Sequence, residues 1–279
     1  MKNTERCGYV AIVGRPNVGK STLLNRILGQ KISITTRKPQ TTRQRILGIK
    51  TTTHAQVIYI DTPGVHEGVK KRLNQQMNRA AISSLTEVDV IVFVIEDLKW
   101  TEDDEFVYQQ VRQQSVPLIV AVNKVDKIAD KTKFLPYLQF LQEKTNSECI
   151  VPISARRGNN VAQLETEVIN RLPHAKKIFG EDQITDRSMR FMAAEIIREK
   201  LMRCLVKELP YSIAVEIEKF TELQKRIDIN AIIWLDRKGQ KGIVIGKQGQ
   251  VLKDVGQKAR LDLERLFEQK VFLQLIFLP

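Results

Sequence analysis

The sequence predicts an α/β domain, a mostly parallel sheet with helices on both faces, followed by a smaller α+β domain. Three observations carry this. Residues 9–13 (YVAIV), 56–60 (QVIYI), 88–95 (VDVIVFVI), 118–122 (LIVAV) and 149–153 (CIVPI) are short apolar runs rich in Val and Ile, as strands buried on both faces should be. The stretches between most of them are long enough for the crossover helices that parallel strands need. Near Arg171-Leu172-Pro173 this rhythm stops, and helical and alternating patterns take over. The expected division is 1–173 for the first domain, 174–187 for a polar linker and 188–279 for the second.

The first strand runs into GRPNVGKS at 14–21. Gly14 and Gly19 let backbone N–H groups turn inward around an anion, with Arg15, Pro16, Asn17 and Val18 completing the loop. Lys20 supplies a compact positive charge, and the Ser21 hydroxyl can ligate magnesium. Such a loop needs a strand before it and a helix after it. Leu23, Leu24, Ile27 and Leu28 mark one face of that helix, and Gly29 is suited to stop it. The helix N-terminus then points its free N–H groups at phosphate.

The second run ends in Asp61-Thr62-Pro63-Gly64. A carboxylate at a strand end suits the second shell of magnesium, and the Gly64 N–H can meet a terminal phosphate. Alone, this tetrapeptide reads equally as a turn. The fourth run leads into Asn123-Lys124-Val125-Asp126. A carboxylate there accepts from both N1–H and N2–H₂ of guanine, a donor pair that adenine lacks. Asn123 is expected to tie neighbouring loops and reach the base edge, with the Lys124 stem over the ring. After the fifth run, backbone N–H groups at Ser154 and Ala155 are expected to face guanine O6.

Composition sets outer bounds. The chain has 279 residues, 42% hydrophobic and 28% charged, an ordinary globular balance. No apolar run reaches membrane-spanning length, and MKNTERCGYV has no signal-peptide core. Cys7, Cys149 and Cys204 lie far apart without metal-ligand spacing, so free thiols in a reducing compartment are expected. The net charge of +13 points to a polyanionic partner. No acidic residue lies between Glu5 and Asp61, a window holding ten Lys and Arg. Either a solvated face or a second polyanion accounts for them.

In the second half, Phe191, Ala194, Ile197, Leu201, Leu205 and Leu209 recur at helical spacing, and Pro210 ends the pattern. Residues 211–220 and 226–235 alternate as antiparallel strands should. A helix–turn–helix pattern and a last strand at 271–278 follow. The turn is Gly246-Lys247-Gln248-Gly249, with Lys241 and Lys253 nearby. Its glycines let backbone approach a sugar-phosphate chain, and Lys247 faces the phosphates.

GxxxxGKS, DxxG and NKxD, in order at three strand ends, resemble the phosphate-loop GTPase superfamily over residues 7–172. That resemblance implies GTP and GDP as ligands, magnesium, and a first switch at Gln40-Thr41-Thr42-Arg43. Thr42 is the favoured metal-touching threonine and Thr41 the alternative. It also implies a second switch at Asp61, Thr62, Pro63, Gly64 and Val65. Ras-type members place a water-orienting glutamine where this chain has Val65, so intrinsic hydrolysis is expected to be slow. The helix–strand–strand–helix–GxxG–helix–strand order resembles a type II KH domain.

Together with SITTRKPQTTR, AEIIREK and KGIVIGKQG, the chain resembles the Era family of bacterial GTPases. Membership implies binding near the 3′ end of small-subunit (16S) rRNA and a role in 30S subunit assembly. It implies a potassium ion at Asn17, a cytoplasmic location and peripheral association with the inner membrane. Nothing in the pattern demands a dimer, so a monomer is expected. A nucleotide-gated RNA-binding scaffold with negligible hydrolysis, a GTPase of RNA modification or of large-subunit assembly, and a protein-docking second half are the alternatives. Two departures stand out. The GxxG interior is Lys-Gln where the family often has Lys-Gly, and the sequence stops at Pro279 where relatives continue with a basic, aromatic tail.

Overall fold

The computed structural model describes residues 5–38, 41–64, 72–128, 130–205 and 213–278. By contacts the chain forms two units: Met1–Ser33 with Thr42–Asp186, and Ile34–Thr41 with Arg187–Pro279.

The first unit is a six-stranded sheet in the order β2-β3-β1-β4-β5-β6. Its strands are β1 (Arg6–Val13), β2 (Ile46–Thr51), β3 (Ala55–Asp61), β4 (Val90–Glu96), β5 (Leu118–Asn123) and β6 (Cys149–Pro152). All pair in parallel except β2, which runs antiparallel to β3 at the edge. Among the described residues, five α-helices cover the sheet: α1 (Lys20–Leu28), α2 (Arg72–Ser83), α3 (Glu102–Val111), α4 (Phe134–Thr145) and α5 (Val161–Arg171). Alternation along each strand sorts the core into two layers. Ala11, Phe93 and Val122 pack with Ala81, Val107, Tyr108 and Leu141 of α2–α4. Val10, Ile12, Val92 and Ala121 pack with Leu23, Leu24, Leu164 and Val168 of α1 and α5.

Parallel register aligns the strand ends. Ile12 pairs with Asp61, and Glu96 with Asn123. The loops after β1, β3 and β5 therefore emerge at one edge, where the strand order reverses around β1, the usual ligand crevice of open α/β sheets. Local signals hold the helices in place. Gly29 closes α1 at φ 72°, and Thr101 with Asp104 forms a capping box at α3.

Within the expected linker at 174–187, residues up to Asp186 are held by the first unit. The Gln56 Oε1 accepts from Ile178 and Phe179 N–H at 2.7 and 2.8 Å, and Ile49 N–H donates to Ile184 O at 2.7 Å. Phe179 also packs on the first core layer. The segment belongs to the first unit.

The second unit has a three-stranded sheet of β7 (Ile213–Glu222), β8 (Arg226–Leu235) and β9 (Lys270–Leu278). β7 and β8 are antiparallel, and β8 and β9 parallel. Its helices are α6 (Met189–Cys204), α7 (Lys241–Ile245) and α8 (Gln250–Phe267). Ala193, Ile197, Leu201, Val244, Val255, Ala259 and Leu263 pack on Ile213, Ile229, Ala231 and Ile233. The apolar face of α6 is broader than the expected stripe, because Met192, Ala193 and Ile196 are also buried. The expected helix residues 206–210 and strand residues 211–212 lie outside the described residues.

Candidate functional site

The loop after β1 is shaped by left-handed backbone. Gly14 has φ 152°, Asn17 65° and Gly19 107°. A Cβ on Gly14 would sit 2.3 Å from Val94 O, and one on Gly19 2.3 Å from Asn123 Nδ2. Both positions therefore need glycine for space as well as conformation. Val18 is buried in the core, and Pro16 backs onto Gly64, where a Cβ would lie 2.7 Å from the proline Cα.

Lys20 is buried and donates to Gly14 O at 2.8 Å and Arg15 O at 2.9 Å. Burial lowers its pKa to about 8, against the opposing pull of Asp61. The Arg15 side chain points to acidic neighbours, while its backbone stays part of the loop. Its guanidinium pairs with Glu96 at 3.0 Å and Asp104 at 3.2 Å. Several cations of the basic window make contacts within the protein. Arg6 and Arg26 donate to backbone carbonyls, and Lys50 pairs with Glu165.

Three hydroxyls converge on one carboxylate oxygen. Ser21 Oγ and Ser33 Oγ each donate to Asp61 Oδ2 at 2.7 Å, and Thr42 Oγ1 donates to it at 3.4 Å. Ser21 Oγ and Thr42 Oγ1 are 2.8 Å apart. Asp61 is fully buried, and its Oδ1 has no hydrogen-bond partner among the described residues. Burial raises its pKa, with the hydroxyls and Lys20 opposing. Thr62 Oγ1 donates to Ile12 O at 3.0 Å and so fixes the turn after β3 to β1. Thr41 Oγ1 instead lies 2.6 Å from Thr36 Oγ1, away from this cluster. Gln40 and Val65 lie outside the described residues. Nothing in the sequence singles out Ser33. A serine in SITT carries no spacing signal, and only the fold brings it to Asp61.

At the end of β5, Asn123 ties two loops, donating to Val18 O at 2.7 Å and accepting from Ala155 N–H at 2.9 Å. Ser154 N–H donates to Asn159 O at 3.1 Å. The two backbone donors expected to face a guanine carbonyl are thus engaged within the protein, Ser154 N–H by its own loop and Ala155 N–H by the Asn123 side chain. Asp126 accepts from Ser154 Oγ at 2.6 Å, and that bond lowers its pKa, keeping an anionic acceptor at the loop rim. Lys124 holds φ 65° and donates to Asn17 O at 2.8 Å, with Glu96 as ion-pair partner. Its pKa falls to about 8, chiefly through burial.

In the second unit, Gly246, Gln248 and Gly249 hold φ of 76°, 51° and 74°. A Cβ on Gly246 would lie 2.4 Å from Val251 Cγ2, whereas Gly249 has open space. Lys241, Lys247, Gln248 and Lys253 are exposed. The turn sits at the N-terminus of α8, whose cap Gly249 supplies no side chain to its free N–H groups.

Residues 9–124 match the family model described as 50S ribosome-binding GTPase, and residues 208–277 match that of the KH domain. The chain is similar to GTPase Era of Pseudomonas fluorescens (strain Pf0-1), with 54% identity over 273 residues, covering 98% of this chain and 91% of that one. GTPase Era of Azotobacter vinelandii is 53% identical over 274 residues, with coverage of 98% and 91%. A crystal structure of Era in complex with MgGDPNP and nucleotides 1506–1542 of 16S ribosomal RNA superposes with a TM-score of 0.94 at 43% identity, covering 98% and 93%. A variant of Aquifex aeolicus Era bound to GDP.AlF4- gives the same TM-score, identity and coverage.

Proposed function

The chain belongs to the Era family of GTPases, and from that premise we propose that it is a nucleotide switch on ribosomal RNA. It binds the 3′ region of 16S rRNA through the second unit and assists assembly of the 30S subunit. The observation that carries the switch is the Thr42 hydroxyl, 2.8 Å from Ser21 Oγ beside buried Asp61.

The donors fit magnesium. The Ser21 and Thr42 hydroxyls, 2.8 Å apart beside a buried carboxylate, are the hard oxygen donors that such an ion would take. Ser21 and Thr42 would hold the ion, and Asp61 would orient them and any bound water through Oδ1. Magnesium neutralises charge on the β- and γ-phosphates. Lys20 adds a desolvated cation and the α1 N-terminus its free N–H groups. Asp126 selects guanine, and Asn123 braces its loop against the phosphate loop.

Gly64 faces Pro16 at the loop and would meet the γ-phosphate. Hydrolysis is slow because the next side chain, Val65, cannot orient water. Asn17, left-handed and exposed, would share a potassium ion, which would supply the missing positive charge. The protein acts as a monomer in the cytoplasm, with peripheral contact at the inner membrane supported by its +13 charge. Among the described residues, no helix is long and apolar enough to cross a membrane.

Titrating a fluorescent 16S 3′-end RNA with protein, in GDPNP and in GDP across a salt series, tests this reading. Lys247→Glu keeps both glycines and isolates the phosphate contact. Tighter binding in GDPNP, lost with a reduced salt slope in Lys247→Glu, is expected. Binding indifferent to both nucleotide and Lys247 would refute it.

A further inference from the structure

Thr35, Lys38 and Thr41 group with the second unit, where they contact α6 and the residue after it. Glu199, fully buried, accepts from Thr35 N–H at 2.9 Å and is itself paired to Lys200 at 3.1 Å and Arg203 at 3.0 Å. Arg203 donates to Thr35 O at 2.8 Å. Lys38 Nζ reaches the carbonyls of Met202 and Leu205 at the end of the helix. Arg198 makes the last hold. Its Nη2 donates to Thr41 O at 2.7 Å. Glu195 takes Nε at 2.7 Å and Nη2 at 2.6 Å in a fork that fixes the guanidinium plane. Arg198 is only 3% exposed.

Arg198, Glu199 and Lys200 form three consecutive buried charges. Buried charges persist where they are paired to something specific. Lys200 pairs with Asp262 of the neighbouring helix α8, whereas Glu199 and Arg198 hold backbone of residues 35 and 41. The Thr41 carbonyl that Arg198 holds is one bond from the nitrogen of Thr42, the residue at Ser21 and Asp61.

We propose that Arg198 is a positioning residue for Thr42: it pins the Thr41–Thr42 peptide, so that the triphosphate state orders a threonine already near its place. This inference rests on the switch reading above. Fixing the backbone of a loop residue is costly, and an anchor that removes part of the cost favours only the ligand that uses the residue. GDP lacks the γ-phosphate and gains little from Thr42. GDPNP with magnesium gains fully.

The test measures fluorescent GDP and GDPNP binding across a magnesium titration. It compares wild type, Arg198→Met, Arg198→Lys, Thr42→Ala and Thr42→Ala/Arg198→Lys. Arg198→Met is expected to weaken GDPNP roughly tenfold and raise the magnesium requirement, leaving GDP within about twofold. Arg198→Lys is expected to recover part of the loss. In the Thr42→Ala background the Arg198 change is expected to have no further effect on GDPNP. The lysine variants keep the test usable should Arg198→Met fail to fold. Equal weakening of GDP and GDPNP, unaltered GDPNP binding in folded Arg198 variants, or additive losses in the double variant would overturn the proposal. Wild type without magnesium-dependent preference for GDPNP would overturn the switch reading itself, in an arm containing no substitution.

Discussion

Replacing Lys20 with methionine separates what the phosphate loop needs for its ligand from what it needs to fold. Burial takes the ammonium from the ordinary 10.5 to about 8. At about 1.36 kcal/mol per pH unit, that fall is about 3.4 kcal/mol of destabilisation. The folded value is below the unfolded one. The cost is therefore complete below about pH 8, where both states carry the proton, and fades as pH rises towards 10.5. Against it stand two hydrogen bonds, to Gly14 O and Arg15 O. At about 1 kcal/mol each they return about 2 kcal/mol. The balance predicts that nucleotide-free Lys20→Met is more stable at pH 7 by about 1.4 kcal/mol, or roughly 4 °C in Tm for a domain of this size. Thermal unfolding of nucleotide-free protein between pH 7 and 10 reads this directly. The advantage should shrink above pH 8 and reverse near about pH 9. Adding GDP should raise the Tm of wild type and leave the variant nearly unmoved. A variant less stable than wild type by the same amount at every pH would refute the reasoning.

Three further outcomes follow from the same geometry. Ser33→Ala removes one of two 2.7 Å hydrogen bonds to Asp61 Oδ2. It should raise the magnesium needed for half-maximal GTP hydrolysis several-fold, and an unchanged requirement would remove Ser33 from the site. Gln248→Gly relieves a left-handed non-glycine residue and should stabilise the second unit by about 1 kcal/mol in urea unfolding. Gly246→Ala should destabilise that unit distinctly more than Gly249→Ala. Both lose a left-handed glycine, but only the first drives a Cβ to 2.4 Å from Val251; equal midpoints would contradict this.

Legibility in the sequence followed the reach of each interaction. β1, β3, β4, β5 and β6 were readable because parallel strands buried on both faces are continuous apolar runs. The glycine-rich loop at 14–21 and the Asn123–Asp126 loop stand out because their signals are local in the sequence. β2 was missed: ILGIKT is short, interrupted by Gly48 and next to a basic stretch, and edge pairing rather than hydrophobic pattern makes it a strand. Ser33 and Arg198 were invisible for a different reason. Each acts across a gap that only folding closes, Ser33 on Asp61 and Arg198 on Thr41. The linear division of the chain could not represent the excursion at Ile34–Thr41 either, since those residues join elements more than a hundred positions away.

The docked segment after α5 bears on solubility. β2 is the outer strand of a six-stranded sheet, and an uncovered outer strand is a template for pairing with another copy. Thr185 bridges Gly48, Ile184 accepts from Ile49, and the Asp186 carboxylate accepts from Leu47 N–H. Residues 184–186 thus act as a short seventh strand that stoppers the edge. A fragment cut at Pro173 would carry every nucleotide-binding motif and yet bare that edge, and would self-associate; one ending at Asp186 would keep its stopper and stay dispersed.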